Sequence, residues 1–413
     1  MPKLFSYGIF DFTPYQIKPL HRRTFILRKL WTLCTFVLIF SILFIRHRGV
    51  PEILWGDDQL FVYRALNISH PPHLRFHPRT SWPSMEWSHF GQFQKFDTLR
   101  LAEPFNNQIL VLPRGIAKLL TTISISDFVR NATVFSLFWL SGLLTFLSIT
   151  LGRLTNRTAG SIAAICVAVM PFSNRVMLGQ VNSLAWPAVM VLFVVVIANQ
   201  YPISKLGRVS LLLFIALISV STLLFSLLLI YLIISLIFSA SRRNAMNLLT
   251  ALLMSAGQAI EFVVAPRRAT SRNLIDIPFQ LLKSAYGFVP QAIRNNIFGP
   301  MSRTDLLVLV SYPVFIIFAA SLLIVFGLRG DRRSQIFVAL RFTGAGFATL
   351  FLLIFGNGAL NSHYLFLPTA LFWVSCVMFA DAALRSQQKF SVHVVLALVV
   401  LFLGQLSGAY FLI

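Results

Sequence analysis

Two adjacent carboxylates, Asp57 and Asp58 in Trp55-Gly56-Asp57-Asp58-Gln59-Leu60, are the residues of this chain best suited to chemistry. They follow an apolar run, so they sit where a membrane helix meets water. A carboxylate there can take a proton from a hydroxyl, orient an acceptor or hold a divalent ion. Neighbouring residues project in different directions on a strand or a helix, so the two do not share one job. The plainer alternative is a helix cap, with Asp57 or Asp58 accepting amide hydrogen bonds at the start of Gln59-Leu60-Phe61-Val62-Tyr63-Arg64.

Composition sets the class of fold that must hold this pair. The chain has 413 residues, 57% of them hydrophobic, with 40 Phe, 12% charged residues and a mean hydropathy of +0.76. Such a chain cannot fold as a soluble globule, and it reads as an all-α polytopic membrane bundle. The first apolar run, roughly Phe25 to Phe44, follows more than twenty residues and lacks a small-residue cleavage site, so a retained helix is expected. Cys34, Cys166 and Cys376 all fall within apolar runs and suggest packing rather than disulfides or a thiolate metal site.

Runs long enough to span hydrocarbon recur near residues 25–45, 133–152, 159–172, 184–199, 209–240, 246–264, 305–328, 335–357, 364–384 and 392–413. As one helix, 209–240 would be about 48 Å long, against a hydrocarbon core of about 30 Å. Ser219-Val220-Ser221-Thr222 therefore reads as the turn of a tight helical hairpin, bringing the expectation to about eleven helices. Basic residues before the first helix put the N-terminus in the cytoplasm. Arg153/Arg157, Lys205/Arg208, Arg242/Arg243, Arg329/Arg332/Arg333 and Arg385/Lys389 then share that side, together with the acids Asp11, Asp331 and Asp381. Without the hairpin, every loop after it would change sides.

The chain so arranged is one membrane domain, 1–413, with two long extracytoplasmic segments: 46–132, which carries the acidic pair, and 265–304. Both outer segments are basic on balance, which suits either anionic headgroups or a lipid phosphate. Trp55, Trp82 and Trp87 suggest interfacial anchoring, and Asp58–Leu66 and Ile109–Leu120 have helical apolar spacing. His70, His73 and His77 are interrupted by Pro71, Pro72 and Pro78, which break the spacing that would align metal ligands. In the second segment Leu274, Ile277, Leu281, Leu282, Ala285 and Tyr286 describe an amphipathic helix. The sequons at Asn67, Asn131 and Asn156 include one on the cytoplasmic side and read as chance.

Three further stretches open on the same side as the acidic pair: Glu103-Pro104-Phe105-Asn106-Asn107-Gln108-Ile109-Leu110-Val111-Leu112-Pro113-Arg114, Asn174 to Trp186, and Asn357 to Pro368. With them the chain resembles the class C integral-membrane glycosyltransferases, which use polyprenyl-phosphate-linked sugars. In that class an acidic residue or pair follows the first helix, as Asp57 and Asp58 do. Many bacterial members carry an acid-led segment ending in an apolar run and Pro-Arg, like Glu103 to Arg114. An Asn-Xaa-Xaa-Trp element is matched by Asn182 to Trp186 with one extra residue. A late Arg-Tyr-Phe-Phe-Xaa-Pro element corresponds to His363-Tyr364-Leu365-Phe366-Leu367-Pro368, with His363 in place of Arg.

The resemblance implies an inverting transfer on the outer face of the plasma membrane, from a polyprenyl-phosphate sugar to a glycan, lipid or protein acceptor. Asp57 and Asp58, with Glu103, are then the catalytic candidates, one Asp as general base and the other orienting the acceptor or a divalent ion. No other cofactor is expected, and no nucleic acid. Arg114 leads the candidates for the donor phosphate because a guanidinium grips phosphate bidentately, the alternative being an arginine snorkelling beside helix 109–120. Arg175 needs an anionic partner if buried and is otherwise solvated. His363 could contact phosphate, relay a proton or simply sit in the interface, while Tyr364 could stack on a sugar or anchor its helix. A polysaccharide polymerase or ligase shares these helices and cationic loops. A lipid-linked glycan flippase or other transporter would instead place charges at mid-membrane, where only Glu261 and Arg341 stand. If an aspartate is the base, Asp57→Asn or Asp58→Asn should lower sugar transfer by at least about tenfold in a membrane assay.

Overall fold

The computed structural model describes residues 22–47, 104–105, 108–124, 127–170, 181–202, 204–222, 225–238, 241–264, 333–357 and 366–385. Ten α-helices lie within them, with one 3-10 turn and one minimal strand pair. The expected spans 305–328 and 392–413, the amphipathic helix from Leu274 to Tyr286 and most of 46–132 lie outside the described residues. The all-helical expectation holds for what packs. The strand pair, Pro104–Phe105 against Gln108–Ile109, is only an antiparallel turn in front of a helix.

Helix α1 (Arg22–His47) presents Leu27, Leu33, Val37, Leu38 and Ile45 outward, while Ile39 and Leu43 pack inward. Helix α2 (Val111–Ile123) is short and strongly two-faced. Helices α3 (Phe128–Leu154) and α4 (Arg157–Ala168) form an antiparallel pair joined by Thr155 and Asn156. Among the described residues, two helices are long and apolar enough to cross a membrane, Lys29–His47 and Phe128–Leu154. Several expected spans are shorter than their apolar runs. Helix α4 has 12 residues and so rises only about 18 Å, well under the hydrocarbon thickness.

The pairing of α3 and α4 depends on the absence of a side chain. A Cβ on Gly160 would meet the Ser148 carbonyl oxygen and lie 2.7 Å from Gly152 N and 3.0 Å from Gly152 Cα, so only glycine allows this approach. Beside it Ser161 joins three helices: its Oγ accepts from Trp31 Nε1 at 3.0 Å and lies 3.1 Å from both Thr35 Oγ1 and Ser148 Oγ. Further along, Arg46 Nη1 donates to the Ala168 carbonyl at 2.5 Å, at the negative dipole end of α4. These contacts make α1 and α4 run parallel.

Helix α5 (Ala185–Ile197) is the centre of the bundle. Every residue of it except Trp186 is buried, as an all-apolar helix requires. It packs against α3 and against the helices that follow. It ends because Asn199 adopts a positive φ of 52°, which lets Gln200 N donate to Val195 O at 3.0 Å and Asn199 N to Val196 O at 3.1 Å. This reversal delivers the chain to α6 (Lys205–Ser219), capped by Ser204 Oγ accepting from Gly207 N at 3.0 Å.

The expected break within 209–240 is present. Helix α6 ends at Ser219 and α7 (Ser226–Phe238) begins beyond it, followed by α8 (Arg242–Val264). Tyr201 shows that the chain doubles back. This buried residue precedes α6, yet Ser235 of α7 and Asn247 and Arg243 of α8 surround it, with the Arg243 Cζ 5.8 Å from the ring centroid. The start of α6, the end of α7 and the start of α8 therefore share one end of the bundle. Burial pushes the Tyr201 phenol up to about 12, an effect that Ser235, Asn247 and the Arg243 charge oppose without cancelling. The hairpin is splayed rather than tight: both arms pack on α8 more than on each other.

Among the described residues, helices α9 (Arg333–Asn357) and α10 (Phe366–Arg385) form the most extensive antiparallel pair. Ser375 Oγ donates to Ala339 O at 2.7 Å and lies 2.6 Å from Thr343 Oγ1. Asp381, counted among the acids of the cytoplasmic side, is buried within α10. Its Oδ1 accepts from Asn156 Nδ2 at 2.5 Å and from Arg385 Nε at 3.1 Å, and its Oδ2 from Gln335 Nε2 at 3.0 Å. An acid in an apolar helix is tolerable when its oxygens are filled in this way. Asn156 is filled as well, since its Oδ1 caps α4 by accepting from Ala159 N at 2.7 Å. Both polar atoms of the Asn156 side chain are thus engaged.

Two outcomes are expected. Gly160→Val should destabilise the α3–α4 pair by about 1–3 kcal/mol, read as a lower unfolding temperature in detergent. Topology reporters inserted at Gly207 and at Ser241 should report the same side of the membrane, with one at Thr222 reporting the other.

Candidate functional site

The contacts above sort the helix termini into two ends. One holds the α3–α4 turn at Asn156, Tyr201, the starts of α6, α8 and α9, and Asp381. The opposite end holds Arg46 and His47, the first turn of α2, Met170 after α4, the 3-10 turn Val181–Leu184, the α6–α7 break, Asn357 and Phe366. Most of the chemical candidates of the sequence belong to segments that leave and rejoin this second end. The chain departs from His47 before Asp57 and Asp58, from Met170 before Arg175 and from Asn357 before His363 and Tyr364, while Glu103 directly precedes the strand pair. Asp57, Asp58, Glu103, Arg175, His363 and Tyr364 themselves lie outside the described residues, as do His70, His73 and His77.

Arg114 is the one candidate whose surroundings are described. The helix expected over Ile109–Leu120 forms over Val111–Ile123, and its inner face is Leu112, Pro113, Arg114, Ile116, Ala117, Leu120 and Thr121. Lys118, Leu119 and Ile123 point outward. Arg114 is 0% exposed. That excludes the snorkelling alternative, in which the guanidinium reaches out along the helix to water. A guanidinium keeps its charge at any physiological pH, so burial places a permanent cation where charge interactions are only weakly screened.

The elements around Arg114 come from distant parts of the chain. Helix α2 packs against Val181–Leu184, against α3 and against α6. Leu184 O accepts from Trp139 Nε1 of α3 at 2.8 Å, which holds the 3-10 turn onto the bundle. Ser221 Oγ, at the α6–α7 break, accepts from Leu112 N at 2.9 Å. The Pro-Arg element at 113–114 and the Asn182–Trp186 element, 68 residues apart from Arg114 to Asn182, are thereby neighbours. Phe366 and Leu367, of the late His363–Pro368 element, are buried at the start of α10 on the same end.

Several polar residues that organise this architecture escaped the sequence reading. Asp381 carried a signal, being an acid inside the apolar stretch Phe366–Ala382. Asn156 lies in a sequon, and its place before Arg157-Thr158-Ala159 is that of a helix cap. Ser221 carries the local signal of a turn residue, and nothing next to it in sequence announces its partner on α2. Among the described residues, no group of three or more His, Cys, Asp or Glu could hold a metal ion.

No protein-family model matches the sequence, and no curated protein matches it. Among solved structures, the chain is similar to the Archaeoglobus fulgidus oligosaccharyltransferase, crystallised with an acceptor peptide containing the NVT sequon tethered through a disulfide bond. The TM-score is 0.46 and the identity 12%, and the match covers 92% of this chain and 55% of that one. The chain therefore spans about half the length of that structure.

The buried cation yields a direct expectation. If Arg114 grips an anion in two places, Arg114→Lys should retain the charge yet lose binding almost as fully as Arg114→Ala, read as a rise of about tenfold or more in the Kd of the anionic ligand.

Proposed function

We propose that this chain is a multi-pass membrane glycosyltransferase that moves a sugar from a polyprenyl-phosphate donor to a glycan, lipid or protein acceptor. The observation that supports the reading best is Arg114: a fully buried guanidinium at the bundle end joined by the segments of the acidic pair, Arg175 and His363. A phosphate leaving group calls for a preorganised cation, and Arg114, 0% exposed as it stands, would meet the donor only once its covering opens. The donor's tail stays in the hydrocarbon, because withdrawing it would cost about 0.8 kcal/mol per CH₂, so the donor enters laterally.

In the proposed reaction Asp58 or Asp57 takes the proton of the acceptor hydroxyl. The hydroxyl oxygen forms a new bond to the anomeric carbon as that carbon's bond to the phosphate oxygen breaks. The electron pair leaves with the polyprenyl phosphate, whose charge Arg114 meets, aided by Arg175 and by His363 or Tyr364. Attack from the face opposite the leaving group inverts the anomeric centre. A positioned base contributes about 10²–10⁴-fold. The N-terminus is assigned to the cytoplasm and the reacting end to the outer face of the plasma membrane, following the basic residues of the short loops.

The test is mass spectrometry of polyprenyl-phosphate sugars and envelope glycans in cells lacking the gene. Accumulation of one lipid-phosphate monosaccharide, with loss of one glycan residue, is the expected outcome. Rescue should require the wild-type chain and fail with Asp57→Asn/Asp58→Asn. An unchanged monosaccharide pool alongside accumulated complete lipid-linked oligosaccharides would sink the proposal in favour of a polymerase, ligase or flippase.

A further inference from the structure

The geometry points to Ser221 as a positioning residue for Arg114: a helix cap supplied in trans, from the tip of the α6–α7 hairpin to the first turn of α2. The inference rests on the reading of Arg114 as a phosphate contact. Helix α2 begins without a cap of its own, because its N-cap residue is Leu110, which has no side-chain acceptor. A helix start leaves amide donors without intrahelical partners, and an ordinary cap serves the second or third of them. In α2 the third position is Pro113, which has no N–H, so Leu112 carries the amide that a cap must serve. Ser221 Oγ accepts from that amide at 2.9 Å.

The hydroxyl is held for this role. A serine hydroxyl has one proton to give and two lone pairs to offer. Ser221 donates its proton to Leu217 O in the last turn of α6, which turns a lone pair toward Leu112. The side chain is completely buried, so water cannot substitute for it. Arg114 lies in the same first turn as Leu112, and its own amide donates to Leu110 O at 3.0 Å. Fraying of that turn would move the Arg114 backbone and with it the guanidinium. Ser219 provides an internal comparison: it lies in the same hairpin tip, but its hydroxyl donates within α6, to Ile215 O at 2.5 Å.

The experiment uses the full chain in detergent or nanodiscs, with Ser221→Ala, Ser221→Thr and Ser219→Ala. Hydrogen–deuterium exchange over residues 110–116 should accelerate about fivefold in Ser221→Ala, and stay near wild type in Ser221→Thr and Ser219→Ala. With a polyprenyl-phosphate sugar as substrate, Ser221→Ala should raise the donor KM about three- to tenfold with kcat within about twofold. It should add nothing when Arg114 is already Ala. Unchanged exchange in Ser221→Ala, equal acceleration in Ser219→Ala, or an effect on KM that persists in the Arg114→Ala background would each overturn the inference. A wild-type chain that turns over no lipid-phosphate sugar would overturn the glycosyl-transfer reading and the role of Arg114 with it. The exchange result would still judge the capping contact by itself.

Discussion

Helices in an apolar environment gain little from burying apolar faces against one another, because lipid is as apolar as a leucine side chain. What fixes this bundle is therefore close backbone approach and the pairing of polar groups between helices. Gly160 brings α3 and α4 together at a distance no side chain would permit. Around it, Ser161 draws on Trp31, Thr35 and Ser148, so three helices share one hydroxyl. The rest of the architecture hangs on that unit: α1 is aligned along α4, and α5 is enclosed between α3 and the later helices.

The same logic governs the helix ends. Each end leaves amides or carbonyls without partners, and in this chain many are answered from another helix. Arg46 meets the Ala168 carbonyl at the end of α4, and Ser221 meets the first turn of α2. Asn156 caps its own helix with one atom and reaches Asp381 with the other. Such ties set the angle and height of each helix more tightly than apolar contact could. They also divide the labour between the two ends. At the end bearing Asn156 and Asp381, polar groups are consumed in holding the bundle. At the other, a buried guanidinium stands on a short helix beside the points where the chain leaves for its long segments.

That division explains how a largely apolar protein could host ionic chemistry. A charge at mid-membrane is expensive, whereas one at a covered mouth is sheltered from water without being surrounded by hydrocarbon. Helix α2 is suited to the place: thirteen residues, one face inward and one outward, entered through a two-residue strand pair and held by the 3-10 turn and the hairpin tip. A short helix held at three points keeps a side chain in place better than a free segment would.

Much of this fold was legible from residue order, wherever the signal was local. The apolar runs marked most of the described helices, the excess length of 209–240 demanded a break, and Ser219 to Thr222 marked its place. The two-faced spacing around Arg114 announced α2. Pairings between distant residues were not legible, because a hydroxyl or carboxylate says nothing about which helix will approach it. Thus residue order gives Asp381 a side of the membrane but not its partners Asn156 and Gln335, far away in sequence, and gives Ser221 a turn but not its contact with Leu112. The sequence by itself determined that the chain is an apolar helical protein with its candidate chemistry in the connecting segments, since composition and periodicity follow from covalent order alone. Only the tertiary structure decided that Arg114 is buried and what holds its helix, because burial and hydrogen-bond partners depend on which helices the fold sets side by side.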